Sequence, residues 1–386
     1  MNKFPYIMGL LLLMFSISSY AIDQQKIASA NVAPPAIEGK SWLLVDHNSG
    51  AILSAGDPDM QIEPASLTKL MTAYIVFREL AEGRQNLDDM VFVSEKAWRM
   101  EGSRMFIKVN SSVKLEDLVK GMIIQSGNDA TVALAEHVAG TEESFVGLMN
   151  KVAAELGMRQ THFVNSSGMP GEGHLTTATD LATLTRALID QYPQYYKYYS
   201  VKDFTWNNIK QGNRNILLYR DATVDGVKTG HTESAGYCLI CSAERDGMRL
   251  IAIVTGTGSK QARADMVQNL LNYGFRNYIT REIYPAGKLI QKIDVYKASS
   301  NTVSVETPDR ISLTVPRRGD AELTQTVTIP DYVTAPIERG QELGKIEFSV
   351  QGSSLGKYPL TAVAEIPEGG IIDQLIGTVM LWVADF

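Results

Sequence analysis

The spacing of apolar residues changes along this chain, and that change constrains its fold more than any other feature. From Ser66 to about Gly274 they recur mainly three and four apart, as in Leu67, Leu70, Met71, Tyr74 and Ile75, or Phe145, Leu148, Met149, Val152 and Leu156. This is the spacing of helix faces, and Gly157 is placed to end the second helix. Strand patterns bracket the helical stretch. Ser41 to Asp46 and Ala51 to Ser54 flank His47-Asn48-Ser49-Gly50, which predicts a β-hairpin. Tyr237 to Ala243, a turn at Asp246-Gly247 and Arg249 to Thr255 predict two more strands, followed by an amphipathic helix around Met266 to Tyr273. Strands at both ends with helices between them predict one sheet sandwiched by helices.

Beyond about Tyr284 the pattern becomes short β-branched runs punctuated by Pro and Gly, such as Thr302 to Val305 and Thr326 to Ile329. A separate, small all-β domain ending near Pro367 is expected, making the chain α+β in class. A length of 386 residues with 45% apolar side chains suits two globular domains with real cores. From Gly369 to Phe386, Ile371, Ile372, Leu375, Ile376, Val379, Trp382, Val383 and Phe386 fall at helical spacing, which predicts a terminal amphipathic helix. The expected division is 1–21 signal peptide, 22–283 catalytic domain, 284–367 β-domain and 368–386 terminal helix.

The signal reading rests on Lys3, the apolar run Tyr6 to Ile17, and small residues at Ser19 and Ala21. A membrane-spanning helix needs roughly 20 apolar residues, more than this run provides. Export implies an oxidising compartment, yet the only cysteines, Cys238 and Cys241, sit three apart in one strand. Three residues of strand span roughly 10 Å, beyond the about 7 Å that a disulfide tolerates, so both are expected to be packed thiols. The net charge of −7, with no basic stripe, argues against nucleic acid as a partner. His47, His137, His162 and His174 show no zinc-binding spacing and are expected to be structural or exposed. No metal or other cofactor is expected.

Chemistry is carried by three short motifs. Ser66-Leu67-Thr68-Lys69 opens what is predicted to be the first strongly amphipathic helix, where a hydroxyl and an amine three apart share a face. Serine needs a base, and an amine serves as one if burial or a neighbouring cation brings its pKa below about 10.4. Ser-x-x-Lys alone is weak, since it recurs at Ser111 and Ser354. Ser126-Gly127-Asn128 falls at a break between a helix ending near Ile124 and one carrying Ala130 to Val138. Lys228-Thr229-Gly230, followed by His231 and Thr232, lies just before the Tyr237 strand and occurs once.

In this order the three motifs mark the penicillin-recognising serine enzymes. Their extended forms, with Asp129 after Asn128 and His231-Thr232 after Gly230, resemble the D-alanyl-D-alanine carboxypeptidases of the penicillin-binding protein 5 and 6 type. The resemblance covers nearly the whole chain. It implies a β-lactamase/transpeptidase-like domain, with an antiparallel sheet and helices on both faces. It further implies that Ser66 attacks the carbonyl between two D-alanines of a peptidoglycan stem peptide, that Lys69 is the base, and that Ser126 and Asn128 relay protons and hold the substrate amide. Lys228 would keep the site electropositive, Thr229 would bind the terminal carboxylate, and the N–H groups of Ser66 and His231 would form an oxyanion hole. Gly230 belongs to the same substrate-binding set, and Arg214 and Arg263 are placed near the carboxylate end of the cleft.

β-Lactams would be inhibitors, and the protein would lie on the periplasmic face of the inner membrane as a peripheral protein. The terminal helix of such proteins normally carries basic residues, whereas Gly369 to Phe386 carries only Asp373 and Asp385 as charges. Weaker, reversible attachment through apolar burial is therefore expected, with packing against the small domain as the alternative. A class A β-lactamase is disfavoured by Gly127 and by the extra domain, and a purely binding role by the intact Ser66, Lys69 and Lys228. The balance of carboxypeptidase, endopeptidase and transpeptidase action stays open at this level.

Overall fold

A five-stranded antiparallel sheet organises the first domain of the computed structural model, which describes residues 32–318 and 322–384. The expected signal segment, 1–21, lies outside the described residues. Strands β1 (Ser41–Asp46) and β2 (Ile52–Gly56) form the predicted hairpin. The chain then runs through the helices α1 (Lys69–Ala81), α2 (Leu115–Ile124), α3 (Asn128–Ala139), α4 (Glu142–Glu155) and α5 (Ala178–Gln191). It returns as β3 (Val224–Thr232), β4 (Gly236–Arg245) and β5 (Met248–Thr257), and leaves along α6 (Lys260–Asn277). The order across the sheet is β2-β1-β5-β4-β3.

Side chains alternate across the pleat, so each strand feeds two cores. Leu43, Val45, Ile240 and Ile253 face the helical layer, whereas Leu44, Leu239, Cys241 and Val254 face α6. Cys238 joins the helical side and Cys241 the α6 side, and both are buried free thiols. They point away from each other across the sheet, as strand spacing predicts.

Two local expectations need correction. The first long helix is not amphipathic: in α1 every residue except Arg78 and Ala81 is buried, because α2, α3, α4 and α5 all pack around it. Lys228-Thr229-Gly230 does not merely precede a strand but lies within one, β3. As the edge of the sheet, β3 leaves one flank open to a cleft.

The β-domain begins with β6 (Tyr278–Tyr284), which continues directly from α6 and pairs antiparallel with β7 (Ile311–Pro316). A six-stranded sheet completes it around Val305, Ile346, Phe348 and Leu360, all almost fully buried. At the junction with the first domain Arg317 donates its backbone N–H to the Asn277 carbonyl at 2.7 Å, the hydroxyls of Ser49 and Thr314 lie 2.6 Å apart, and Thr280 donates to Asp46. The last element, α7 (Ile371–Ala384), touches the β-domain through a small residue. A Cβ at Gly377 would lie 2.5 Å from the Lys297 nitrogen, so only glycine permits the approach. Most of the other α7 side chains are exposed, and among the described residues no helix is long and apolar enough to cross a membrane.

Candidate active site

Ser66 is presented on a single 3₁₀ turn, Ala65–Thr68, which leads into α1. The turn starts from Ala65 at a φ of +47°, and Leu67 donates its N–H back to the Pro64 carbonyl. Lys69 follows on the first turn of the helix and is 1% exposed. Its Nζ lies 3.0 Å from Ser66 Oγ and 2.7 Å from Asn128 Oδ1, and it also donates to the Ser167 carbonyl. Burial, reinforced by the charge of Arg214 and opposed by that of Asp129, lowers the Lys69 amine to about 7. An amine in that range is substantially neutral at ordinary pH and can take a proton from serine.

The predicted helix break forms the second wall. Ser126 sits between α2 and α3 at a φ of +64°, a left-handed conformation that a serine adopts only where the surroundings hold it. Lys228, 3% exposed on β3, donates to Ser126 Oγ at 2.9 Å and to the Thr229 carbonyl at 3.1 Å. Asn128 opens α3, accepts from Lys69 and donates through Nδ2 to the Glu101 carbonyl at 2.6 Å. Burial, with Lys69 and then Arg214 nearby, holds the Lys228 amine well below its usual range.

Arg263, on α6, is 5% exposed and has no carboxylate partner among the described residues. Its guanidinium donates to the carbonyls of Gly230 at 3.0 Å and Cys238 at 3.3 Å and lies 5.7 Å from the Tyr237 ring centroid. Burial lowers it only to about 10, so it remains cationic at neutral pH. Arg214 is exposed at the rim, where its Nε donates to the Gln125 carbonyl at 3.0 Å. Neither arginine is spent on a surface ion pair. Thr229 and Gly230 complete this end, with His231 against Tyr237 at 4.0 Å between ring centroids. The cleft has a volume of roughly 480 Å³ and brings together Ser66, Ser126, Asn128, Thr229, Arg214 and Arg263.

Sequence reasoning missed the third wall, Asn165 to Met169. Asn165 Oδ1 accepts the backbone N–H groups of Ser167, Gly168 and Met169 at 3.2, 2.7 and 3.1 Å. Buried Glu142 accepts from Ser166 N and Oγ at 3.0 and 2.6 Å and pairs with Lys96 at 3.0 Å. Gly168, at a φ of +87°, passes so close to the nucleophile turn that a Cβ would lie 1.7 Å from the Ala65 carbonyl oxygen. Asn-Ser-Ser-Gly does read as a turn. Nothing in it reveals that the turn faces Ser66.

Residues 28–259 match the family model described as D-alanyl-D-alanine carboxypeptidase. The chain belongs to this family. Residues 278–368 match a second model, the C-terminal domain of penicillin-binding protein 5. D-alanyl-D-alanine carboxypeptidase DacC of Escherichia coli is 38% identical over 96% of this chain and 93% of that protein. The crystal structure of penicillin binding protein 5 from Haemophilus influenzae superposes with a TM-score of 0.83 at 39% identity, covering 87% of this chain and 100% of that one. Penicillin-Binding Protein D2 from Listeria monocytogenes, solved in its ampicillin bound form, covers 63% of this chain and 100% of its own at 30% identity and a TM-score of 0.58. This family member is thus a serine-type D-alanyl-D-alanine carboxypeptidase of the class targeted by penicillin, with the transpeptidase-like domain and following β-domain expected from its sequence.

Proposed function

We propose that Ser66, activated by Lys69, removes the terminal D-alanine from stem peptides in two steps. The observation that carries this is the partnering of the Lys69 amine. A neutral amine has two N–H groups and one lone pair, and the Asn128 and Ser167 oxygens occupy both N–H groups. The lone pair is left to face Ser66 Oγ at 3.0 Å. Lys69 takes the serine proton as Oγ bonds to the penultimate D-alanine carbonyl, and the oxyanion is received by the N–H groups of Ser66 and His231. The amide C–N bond then breaks, a proton returns to the leaving amine by way of Ser126 and Lys228, and D-alanine departs. Water cleaves the remaining ester and regenerates Ser66.

The terminal carboxylate is held by Thr229, with Arg263 and Arg214 supplying charge. Asn128 binds the amide on the acyl side, and Gly230 lets β3 lie close against the nucleophile turn, where a Cβ would be 3.1 Å from the Pro64 carbonyl oxygen and 3.2 Å from the Leu67 side chain. A β-lactam enters as a mimic of the same dipeptide and stops at the ester. The enzyme works outside the cytoplasm, after cleavage of the N-terminal segment, and α7 lies in the outer surface of the inner membrane as a reversible anchor.

The test measures D-alanine released from a pentapeptide stem by signal-free protein, together with labelling by a fluorescent penicillin. Release and labelling that both disappear in Ser66→Ala are expected. Labelling without release by the unmodified enzyme would reduce the protein to a binding role.

A further inference from the structure

Asp129 follows the second motif but makes no contact with the nucleophile. It is 1% exposed, and all its hydrogen-bond donors among the described residues are backbone N–H groups: Met105 and Phe106 at 2.8 Å, Ile107 at 3.2 Å and Ala130 at 2.9 Å. A buried carboxylate satisfied in this way fixes the course of the segment that supplies the donors. That segment, Glu101 to Ile107, is also tied to Asn128, whose N–H donates to the Ser103 carbonyl at 2.7 Å and whose Nδ2 donates to that of Glu101. Gly102 and Ser103 line the cleft. A Cβ at Gly127 would lie 2.9 Å from Asp129 Oδ1 and 3.1 Å from the Met105 nitrogen. The glycine in Ser126-Gly127-Asn128 therefore makes room for this loop.

Thr229 and Arg263 mark the carboxylate end of the cleft, so a peptide must leave Ser66 on the other side past Asn128 and Gly102. We propose that Asp129 is a positioning residue that latches the Glu101 to Ile107 loop as the wall on the acyl side, and thereby sets how much of the stem beyond the two D-alanines is recognised. This rests on the functional reading above. It assigns a role to the residues that flank the proposed proton relay rather than to the relay itself.

The test compares the unmodified enzyme with Asp129→Asn and Gly127→Ala on two substrates: a pentapeptide stem and an acetylated D-Ala-D-Ala dipeptide. Enzyme concentrations are set by titration with fluorescent penicillin, so only folded sites are counted. Both variants are expected to raise KM for the pentapeptide about tenfold relative to the dipeptide, since a wall displaced by an ångström costs one to two orders of magnitude. Asp129→Asn should also move the acid limb of the acylation rate to lower pH, because the Asp129 charge raises the Lys69 amine. Gly127→Ala keeps that charge and should leave the limb in place. A pH shift without a change in the KM ratio would reduce Asp129 to an electrostatic neighbour and overturn the latch. Failure of both variants to take up penicillin would equally overturn it, in favour of a purely structural carboxylate. If the unmodified enzyme releases no D-alanine, the functional reading itself falls.

Discussion

The catalytic cleft and the terminal helix both invert the ordinary sorting of side chains, in opposite directions. In the cleft, Lys69, Lys228 and Arg263 are 1%, 3% and 5% exposed. Along α7, Ile371 is 83% and Trp382 68% exposed. The cleft compensates for its inversion within the fold, since each buried basic side chain is met by named oxygens. Among the described residues the helix meets the β-domain at Gly377 and Gln374, while Ile371, Ile372, Leu375, Ile376 and Val379 are exposed. A buried basic group that is satisfied in place points to chemistry done in place. The exposed apolar side chains of α7 are what the proposed membrane attachment rests on.

The largest effect should come from breaking the cleft side of this comparison. Lys69→Met keeps the bulk of the side chain and removes the amine, and should slow acylation by fluorescent penicillin at least about a thousandfold, within the range for loss of a positioned base. Slowing of less than tenfold would show that Lys69 is a packed cation and not the base. Acidity should act through the same group. With the Lys69 amine at about 7, the protonated form dominates below that pH and cannot accept the serine proton. Acylation should therefore fall roughly tenfold per unit as pH drops below 7 and level off above it. A stopped-flow pH series checks this, and a flat profile from pH 5 to 8 would remove Lys69 from the role.

Arg263→Gln should have a smaller effect, confined to recognition. Losing a buried charge opposite a carboxylate should raise KM for a stem peptide by about tenfold to a hundredfold, with kcat much less affected. The same variant tested on a stem amidated at its C-terminus should show little further loss. An equal rise in KM for both would assign Arg263 to holding the Gly230 and Cys238 carbonyls, to which it also donates.

Much of the cleft was legible because its parts are short motifs whose order carries information, and because Tyr237 to Cys241 and Leu250 to Val254 are unbroken apolar runs of the length of buried strands. What could not be read depends on partners distant in sequence. Lys69 meets the Ser167 carbonyl across 98 residues, and Asp129 holds Met105 across 24. No local pattern reports such pairings. Val224-Asp225-Gly226-Val227 lacks a clean alternation, so β3 stayed hidden although it carries the third motif. The burial of α1 was missed for a related reason: Thr72 and Glu79 look solvent-facing in sequence, yet both are buried, Thr72 donating to the Ser166 carbonyl and Glu79 pairing with Arg84. The terminal helix was legible from its apolar spacing, although that spacing did not reveal that Gln374 and Gly377 meet Lys297.

The smallest effect concerns that helix and bears on the other half of the comparison. Each apolar side chain moved from water into an acyl boundary contributes about 1.5–3 kcal/mol, whereas attraction to anionic headgroups requires cations, of which Gly369 to Phe386 has none. If α7 anchors the enzyme by burial alone, cosedimentation with neutral and anionic vesicles should agree within about twofold, and raising salt from about 50 to 500 mM should leave it nearly unchanged, because screening acts only on charge. Removing residues 368–386 should abolish cosedimentation while leaving D-alanine release from a soluble peptide within about twofold, since α7 touches the β-domain and not the cleft. Binding that falls steeply with salt would move the attachment to basic residues elsewhere on the surface. Binding that persists without 368–386 would make α7 a packing element of the β-domain, and its uncovered face would then need another explanation.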